Sequence, residues 1–191
     1  TFQYGEAGRQ IYDFFWNDFA DWYVEIAKNQ IQNSEFRIQT VETLAKILDI
    51  VLRLLHPFTP FVTEELWGHL RTALLASPIS HLASDWPEAL IVAKWPELRD
   101  PEGWEDAKVA DFTLIQEIVR SIRNLRAEKS APMSKKLPAT IVGGAKTELL
   151  QSQFEVLAST AALDPAQLSI LESLSTKPEN ALALVIGAVE V

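Results

Sequence analysis

The sequence contains no cysteine, which excludes two classes of protein at once. Without cysteine there can be neither a disulfide framework nor a metal site built from thiolates. Its three histidines are widely separated and do not have the spacing of a zinc site. No apolar run reaches the roughly 18 residues needed to cross a membrane, and no signal peptide opens the chain. We therefore expect a soluble, cytoplasmic protein without a metal.

Recognisable catalytic and nucleotide-binding patterns are also missing. No glycine-rich turn follows a strand-like run, so there is no cradle for the phosphates of a nucleotide. No nucleophile stands with a base and an orienting group. Glu64 and Glu65 are adjacent and point in different directions, and we interpret them as stabilising the start of a helix. The sequence predicts neither a catalytic site nor a cofactor within this chain.

The length and the ends of the chain bear on its organisation. Its 191 residues, 48% of them hydrophobic, suffice for one large domain or two small ones. The chain begins at Thr1 without a methionine and stops at Val191 within a strand-like run. We expect it to be a piece of a larger protein.

The charge is unevenly distributed. The formal net charge is −9, but residues 116–147 carry seven basic and two acidic side chains, a local charge of +5 that leaves −14 elsewhere. Such a cluster is more often a solvated face, yet it can also meet the phosphates of a nucleic acid. The candidate RNA contacts are therefore Arg120, Arg123, Arg126, Lys129, Lys135, Lys136 and Lys146.

Periodic apolar residues predict four helices, at about 6–28, 34–55, 59–75 and 104–129. In the first, the stripe that includes Phe19 and Trp22 is widened by further aromatics (Tyr12, Phe14, Trp16 and Tyr23), which we expect in the core. The second has so broad a stripe that we expect burial on most sides. Ile115, Val119 and Ile122 form the stripe of the fourth, and Arg126 continues it. Between the last two helices, residues 76–104 form an irregular connection anchored by tryptophans, with 91–93 briefly extended.

The second and third helices meet at a corner, LLHPFTPFVTEELW (residues 54–67). Pro57 is expected to end the incoming helix and to disfavour helical geometry at His56. Thr59 is expected to cap the next helix with its hydroxyl, and Pro60 suits its first turn. Around these prolines, a hydrophobic knot is predicted from Phe58, Phe61, Leu66 and Trp67.

Beyond residue 136 the pattern changes to a β-α-β-β run. We predict a strand at 137–142, a helix at 147–160, and a weak strand at 168–171 after an Asp164-Pro165 turn. Residues 181–191 have apolar side chains on both faces, as in a central strand. The predicted fold class is mainly α: a helical bundle at 1–136, then a small α/β subdomain at 137–191.

Three segments resemble class I aminoacyl-tRNA synthetases that handle branched aliphatic amino acids. The corner at 54–67 is similar to the corner of their bundle. Residues 11–25, IYDFFWNDFADWYVE, are similar to the FWxxFxDWYxE-type helix of the valyl-tRNA synthetases in particular. Residues 122–136 resemble the RNxRxE…P…K signature that closes the bundle. Together the three segments cover residues 11–136.

The resemblance implies an anticodon-binding helical bundle and a C-terminal piece truncated before a coiled-coil arm. Such a piece would bind the anticodon stem-loop side of a valine tRNA, while catalytic and editing domains outside this chain carry out the ATP-dependent aminoacylation. Contacts to the RNA backbone would position the tRNA, and loop bases would be recognised by stacking and edge hydrogen bonds. Much of the anticodon recognition in the family comes from a helix just upstream of the position of Thr1.

Several alternatives stay open. Arg123 and Arg126 would also suit a structural role, holding the helix end through Glu128 or through carbonyls. Residues 133–136, MSKK, look like the KMSKS loop that helps bind ATP, but no nucleotide-binding fold surrounds them. The chain would also fit the bundle of an isoleucyl or leucyl enzyme. As a helical interaction module without an RNA role, it would instead expose an aromatic patch of Trp86, Trp95 and Trp104.

Overall fold

The computed structural model describes residues 3–175 and 182–191. The chain divides into two compact units, Thr1–Arg99 and Asp100–Val191. The first is helical, and the second combines a long helix with a small sheet. The predicted fold class, mainly α with a helical bundle followed by a small α/β part, is confirmed. The domain boundary after residue 136 stays a prediction.

The first unit contains the first three predicted helices. Helix α1 spans Tyr4–Asp13, continues as a π-helical segment at Phe14–Tyr23, and runs on into α2 at Val24–Gln30. Helix α3 spans Arg37–Leu55 and α4 spans Pro60–Leu75. No helix in the described ranges is long and apolar enough to cross a membrane.

The aromatic residues of the first helical run divide between two sides. Phe19 and Trp22 are buried, as the predicted stripe requires. Tyr12, Phe14 and Trp16 are 60%, 45% and 56% exposed, so their expected place in the core is wrong. Tyr12 and Trp16 lie four residues apart on the other side of the helix, where their rings stack with centroids 6.3 Å apart.

Helix α3 is less enclosed than its broad stripe indicates. Ala45, Val51 and Leu52 are buried, but Ile50 is 44% exposed, so the expected burial on most sides is wrong. The wider part of the stripe lines an open apolar groove of about 270 Å³, formed by Gln10, Ile11, Phe14, Ile47, Ile50, Val51 and Leu54. An apolar stripe thus does not by itself show that every side of a helix is covered.

The α3–α4 corner forms where the prolines place it, with different local bonding. Helix α3 ends at Leu55 as predicted, but His56 keeps helical dihedrals of φ −55° and ψ −40°, contrary to expectation. The turn closes because the amides of Phe58 and Thr59 both donate to the Leu55 carbonyl, at 2.9 and 3.0 Å. Thr59 holds the N-cap position of α4, yet its hydroxyl bonds to that carbonyl at 3.4 Å rather than capping α4.

The predicted hydrophobic knot at this corner reduces to one side chain. Trp67 is fully buried, whereas Phe58, Phe61 and Leu66 are 39%, 90% and 50% exposed. The difference follows from helical geometry, because Phe61 and Leu66 lie on faces of α4 away from Trp67. The prediction of a hydrophobic knot formed by these four side chains is therefore wrong.

Trp67 instead anchors the connection that follows α4. Its ring stacks on Trp86, with centroids 4.3 Å apart and an interplanar angle of 17°. The Arg53 guanidinium lies 4.8 Å from the centroid of Trp67 and donates to the Lys94 carbonyl at 2.7 Å. Trp95 is 59% exposed, so the predicted anchoring is confirmed for Trp86 and not for Trp95. The connection contains 3₁₀ turns at Ser80–Leu82 and Leu90–Val92, the latter where an extended segment was expected.

The second unit begins with α5, Glu105–Glu128, the predicted fourth helix. Strand β1 follows at Leu137–Val142, then a 3₁₀ turn at Gly144–Lys146, α6 at Thr147–Ser152 and α7 at Phe154–Thr160. Strand β2 spans Leu163–Leu171, β3 Val185–Ile186 and β4 Val189–Glu190. The sheet order is β2-β1-β4-β3, with β1 parallel to β2 and antiparallel to β4.

Three predicted elements of this unit differ in detail. The helix at 147–160 breaks at Gln153, whose φ of −104° and ψ of 18° leave helical geometry. Strand β2 begins at Leu163, and the expected Asp164-Pro165 turn is instead an irregularity in its pairing with β1. Of the strand expected at 181–191, residue 181 lies outside the described residues. The rest is a hairpin rather than one continuous strand, because Gly187 adopts φ 58° and turns the chain, and β4 of this hairpin lies between β1 and β3 as a central strand does.

The core of the second unit lies where α5 and the crossover helices cover the sheet. Ile115, Val119 and Ile122, the predicted stripe of α5, are 1%, 0% and 6% exposed. Arg126 continues that stripe as predicted, and it is only 3% exposed, which the sequence did not predict. The core includes residues from α6, α7 and the strands, among them Ile141, Leu150, Leu157, Leu163 and Val189. A charged side chain thus stands at the end of an apolar line.

Candidate nucleic-acid interface

The candidate interface begins where α5 ends. The amide of Ala131 donates to the Arg126 carbonyl at 2.8 Å, and that of Ser130 to the Ala127 carbonyl at 3.1 Å. These two bonds form a Schellman motif, which requires a left-handed residue after the helix. Ser130 supplies it with φ 54°. Pro132 follows, where it prevents the helix from continuing.

Arg126 ties this helix end to its surroundings through backbone carbonyls. Its Nη2 donates to the carbonyls of Pro132 and Lys135, each at 2.6 Å. Its Nη1 donates to the Ala162 carbonyl at 3.2 Å, while Nε is buried without a partner among the described residues. A buried guanidinium needs such acceptors, because desolvation of its charge is otherwise expensive. Arg126 therefore holds the end of α5 through backbone carbonyls, which is one of the structural roles that the sequence allowed.

Arg123, one turn earlier, makes a similar contact with a different element. Its Nε donates at 2.8 Å to the carbonyl of Thr160, the last residue of α7. Carbonyls in the last turn of a helix lack intrahelical partners, and a cation there also suits the helix dipole. Arg123 therefore caps α7 and joins it to α5.

The remaining cations of this region lie on one loop. We call residues 129–136 the basic loop. Lys129, Lys135 and Lys136 are all exposed there. Lys129 Nζ lies 3.3 Å from a carboxylate oxygen of Glu128, an exposed pair of little energetic consequence. The amide of Lys135 donates to the Pro132 carbonyl at 3.1 Å, which closes a tight turn. The loop thus presents three ammonium groups on a backbone that is internally bonded.

The other two candidates lie elsewhere in the same unit. Arg120 is an exposed residue of α5, six positions before Arg126. Lys146 Nζ contacts an Asp111 carboxylate oxygen at 2.9 Å. Asp111 precedes Arg126 by fifteen residues on α5, roughly 22 Å along the helix. The structure therefore gathers Lys129, Lys135 and Lys136 and places Lys146 far from them.

A polar cluster at the α3–α4 corner was not predicted. The Thr63 hydroxyl donates to the Thr59 carbonyl at 2.8 Å, so it accepts a bond from His56 Nδ1 at 2.8 Å. The Glu64 carboxylate accepts the amides of Leu90 and Ile91 at 2.6 and 3.2 Å. Glu64 therefore holds the 3₁₀ turn in the connection rather than the start of α4, and the earlier interpretation is wrong. The partners lie more than twenty residues apart, so no local pattern shows them.

The described residues contain no group of three or more histidine, aspartate or glutamate side chains placed to hold a metal ion. The basic loop offers charge and hydrogen-bond donors through its three exposed ammonium groups. Exposed ammonium groups bind phosphate oxygens without regard to sequence, which positions a nucleic acid rather than selecting its bases.

Comparison with known proteins agrees with these observations. Residues 1–141 match a family model described as the anticodon-binding domain of tRNA ligase. The valine–tRNA ligase of Bacillus cereus strain ATCC 10987 is 38% identical over 192 residues, covering 98% of this chain and 20% of the relative. That of Thermotoga maritima is 40% identical over 149 residues, 78% of this chain and 15% of the relative. The chloroplastic/mitochondrial valine–tRNA ligase 2 of Arabidopsis thaliana is 39% identical over 165 residues, 84% and 15% respectively.

The chain spans about a fifth or less of the length of the curated relatives it matches. The family match covers all three segments on which the resemblance was based, and it includes α5, the basic loop and all but the last residue of β1. The resemblance predicted from the sequence is thereby confirmed. The chain belongs to the anticodon-binding domain family of tRNA ligases.

Proposed function

We propose that this chain is the tRNA-binding part of a valine–tRNA ligase and that it binds the anticodon stem-loop side of a valine tRNA. The observation that carries the proposal is the similarity of nearly the whole chain to valine–tRNA ligases. The parent protein would join valine to its tRNA with ATP, in the cytoplasm, using catalytic and editing domains outside these 191 residues. This chain would hold the tRNA so that its acceptor end reaches those domains.

The RNA contacts we propose are backbone contacts through the basic loop. Lys129, Lys135 and Lys136 are exposed together, which supports them as phosphate ligands. Arg120, which lies on α5, is also exposed and stays a candidate phosphate contact. Arg123, Arg126 and Lys146 have protein partners at 2.6–3.2 Å, which favours structural roles for them.

The two alternatives have less support. The interaction module requires Trp86 to be exposed, but its ring stacks on the buried Trp67. The isoleucyl and leucyl hypotheses find no counterpart in the relatives described above, which are named as valine–tRNA ligases. The residues Asp21-Trp22-Tyr23 also favour a valyl enzyme, because they belong to the segment that resembles the valyl-tRNA synthetases in particular.

The proposal is tested by titrating the chain with a valine tRNA anticodon stem-loop and with an unrelated stem-loop at two salt concentrations. Preference for the valine loop would show that base-recognising residues lie in this chain. Equal, steeply salt-dependent binding of both would show backbone contacts alone. Absence of binding to both would contradict an RNA-binding role for this chain by itself.

A paired set of variants assigns the contacts. The double variant Lys135→Ala/Lys136→Ala should weaken stem-loop binding. The control Lys28→Ala/Lys46→Ala removes the same charge from exposed positions that pair with neighbouring glutamates, at 2.5 and 3.8 Å. Equal losses of affinity in both double variants would mean that net charge, rather than the basic loop, determines binding.

A further inference from the structure

We propose that Arg126 is a positioning residue for RNA: its buried guanidinium holds the basic loop in the conformation that presents Lys135 and Lys136 to phosphate. Arg126 itself, at 3% exposure, would not touch the RNA. This inference rests on the proposed function. The buried Arg126 would position the loop, and the exposed lysines beside it would make the contacts with RNA.

The geometry shows a clamp on both ends of one turn. Nη2 alone donates to the carbonyls of Pro132 and Lys135, each at 2.6 Å. These are the residues that the turn itself joins, since the Lys135 amide donates to the Pro132 carbonyl at 3.1 Å. One nitrogen therefore fixes both ends of the turn, and one of the two bonded carbonyls belongs to a proposed phosphate ligand.

The same residue also fixes where the loop lies. Its own carbonyl accepts the Ala131 amide at 2.8 Å, which sets how the chain leaves α5. Its Nη1 reaches the Ala162 carbonyl at 3.2 Å, next to the start of β2. The Ala162 carbonyl also accepts the Leu137 amide at 3.3 Å, where the loop enters β1. Arg126 thus connects the start, the middle and the end of the loop.

A loop held in this way has an advantage in binding. Two adjacent lysines repel each other, and a mobile loop would lose conformational freedom on meeting RNA. A loop that is already ordered loses less, so more of the electrostatic attraction is realised as affinity. The arginine fork is suited to this task because its donors have fixed directions, whereas a lysine in its place would supply a single movable ammonium group.

The test is a double-mutant cycle on stem-loop affinity. Arg126→Met is measured alone and in the Lys135→Ala/Lys136→Ala background, with Arg126→Lys as a variant that keeps the charge. We expect Arg126→Met to weaken binding about as much as loss of both lysines, and to add little in their absence. The slope of log K against log salt should fall by roughly 1–2, the contribution of two lost phosphate contacts. Arg126→Lys should give an intermediate result.

A purely structural role predicts a different outcome. In that case Arg126→Met would lower the melting temperature while the affinity and salt slope of the folded variant stayed at the values of the unmodified chain. Losses from Arg126→Met and the lysine variant that simply add would likewise overturn the inference. Ile118→Val, a fully buried change on the same helix, is the matched control for lost stability. It should lower the melting temperature and leave the salt slope unchanged.

Hydrogen exchange in the unmodified chain gives an answer even if the Arg126 variants do not fold. The amides of Ala131 and Lys135 should be protected in the free chain, and RNA should change their exchange little. Fast exchange that slows only with RNA would show that the RNA orders the loop, and would overturn the inference. If the unmodified chain binds no stem-loop, the proposed function fails and the inference with it. If the unmodified chain binds the stem-loop but the losses of affinity in the double-mutant cycle simply add, the inference is overturned and the proposed function stands.

Discussion

Ser130 occupies a backbone conformation that few side chains favour. Its φ of 54° is required by the Schellman motif that ends α5, a position where glycine is the usual residue. A Cβ in this region is strained against the backbone, whereas glycine is not. The serine therefore introduces strain at the point where the basic loop begins.

We expect Ser130→Gly to raise the free energy of unfolding by about 0.5–1 kcal/mol, because relief of the strain outweighs the added freedom of the unfolded chain. Urea unfolding of the purified chain measures this. Ser134→Gly is the control, since Ser134 is not among the residues with positive φ, and it should be neutral or destabilising. A loss of stability in Ser130→Gly would contradict the assignment of strain.

Glu64 shows how one carboxylate can hold a distant segment. Its oxygens accept the amides of Leu90 and Ile91, and a charged acceptor makes stronger bonds than a neutral one. Glu64→Gln leaves one carbonyl oxygen for two donors, so we expect a loss of about 1–2 kcal/mol in unfolding free energy. Glu65→Gln, at an exposed neighbour that contacts His69, should change stability by less than about 0.5 kcal/mol. Equal effects at the two positions would show that the bonds to the connection contribute nothing.

Asp49 makes stability depend on pH. Burial raises the pKa of this carboxyl above 3.8, although the hydrogen bond from Arg53 opposes the shift. The folded chain therefore binds a proton more readily than the unfolded chain. The resulting stabilisation is present below pH 3.8 and is lost as the pH rises through the folded-state pKa.

Asp49→Asn should remove this dependence. The stability of the unmodified chain minus that of the variant should fall as the pH rises above about 3.8. Urea unfolding of both proteins over a pH series gives this difference. A difference that grows with pH would mean that Arg53 outweighs burial and lowers the pKa.

At the scale of elements, the link from β1 to α6 requires a residue without a side chain at Gly143. A Cβ on Gly143 would lie 2.8 Å from Leu150 Cδ1 and 2.9 Å from the Thr147 backbone nitrogen. The leucine could move, but the backbone could not do so without displacing α6. The crossover between the two parallel strands is therefore tight at its first turn.

Gly143→Ala should lower the free energy of unfolding by about 1–3 kcal/mol, as an overpacked site does. Gly68→Ala is the matched control: Gly68 lies within α4 and a Cβ there would meet nothing within 4 Å. That change should stabilise by about 0.5–1 kcal/mol, because alanine favours a helix more than glycine does. Thermal unfolding of both variants should give shifts of opposite sign. Shifts of the same sign would contradict the steric explanation.

At the scale of the whole molecule, an acidic chain carries three exposed lysines together on one short loop. The net charge is −9, yet Lys129, Lys135 and Lys136 stand together. If these three provide the phosphate contacts, log K should fall against log salt with a slope of roughly −2 to −3. Titration between about 50 and 200 mM salt measures it. A much steeper slope would mean that Arg120, Arg123 or Lys146 also meets phosphate.

Much of the fold could be predicted because it is encoded locally. The period of Ile115, Val119 and Ile122 located the buried face of α5, and Pro57 located the end of α3. The π-helical segment at Phe14–Tyr23 was not predicted from the sequence. The exposure of Trp16 could not be predicted either, because the sequence pattern alone does not show whether an aromatic side chain in a helix is buried or exposed. The hairpin at 185–190 was missed because a two-sided apolar run is also typical of a central strand.

The seven cations of the candidate site were singled out from charge clustering, and their contact with RNA stays a prediction. The sequence also allowed a structural role for Arg123 and Arg126, but it did not give the arrangement of the seven cations. Which cations face solvent depended on partners that pattern does not show: Thr160 for Arg123, Ala162 for Arg126 and Asp111 for Lys146. These partners lie 35 to 37 residues away along the chain.

The sequence by itself determined the family, the fold class and the region of positive charge. Each of these depends on residue identity and local spacing, which need no knowledge of what lies nearby in space. Only the tertiary structure decided that Arg126 is buried, that Glu64 holds the connection, and that three lysines present their charge together. Burial and hydrogen bonding depend on groups brought close by the folding of the whole chain, and a buried cation must find its acceptors there because water is excluded.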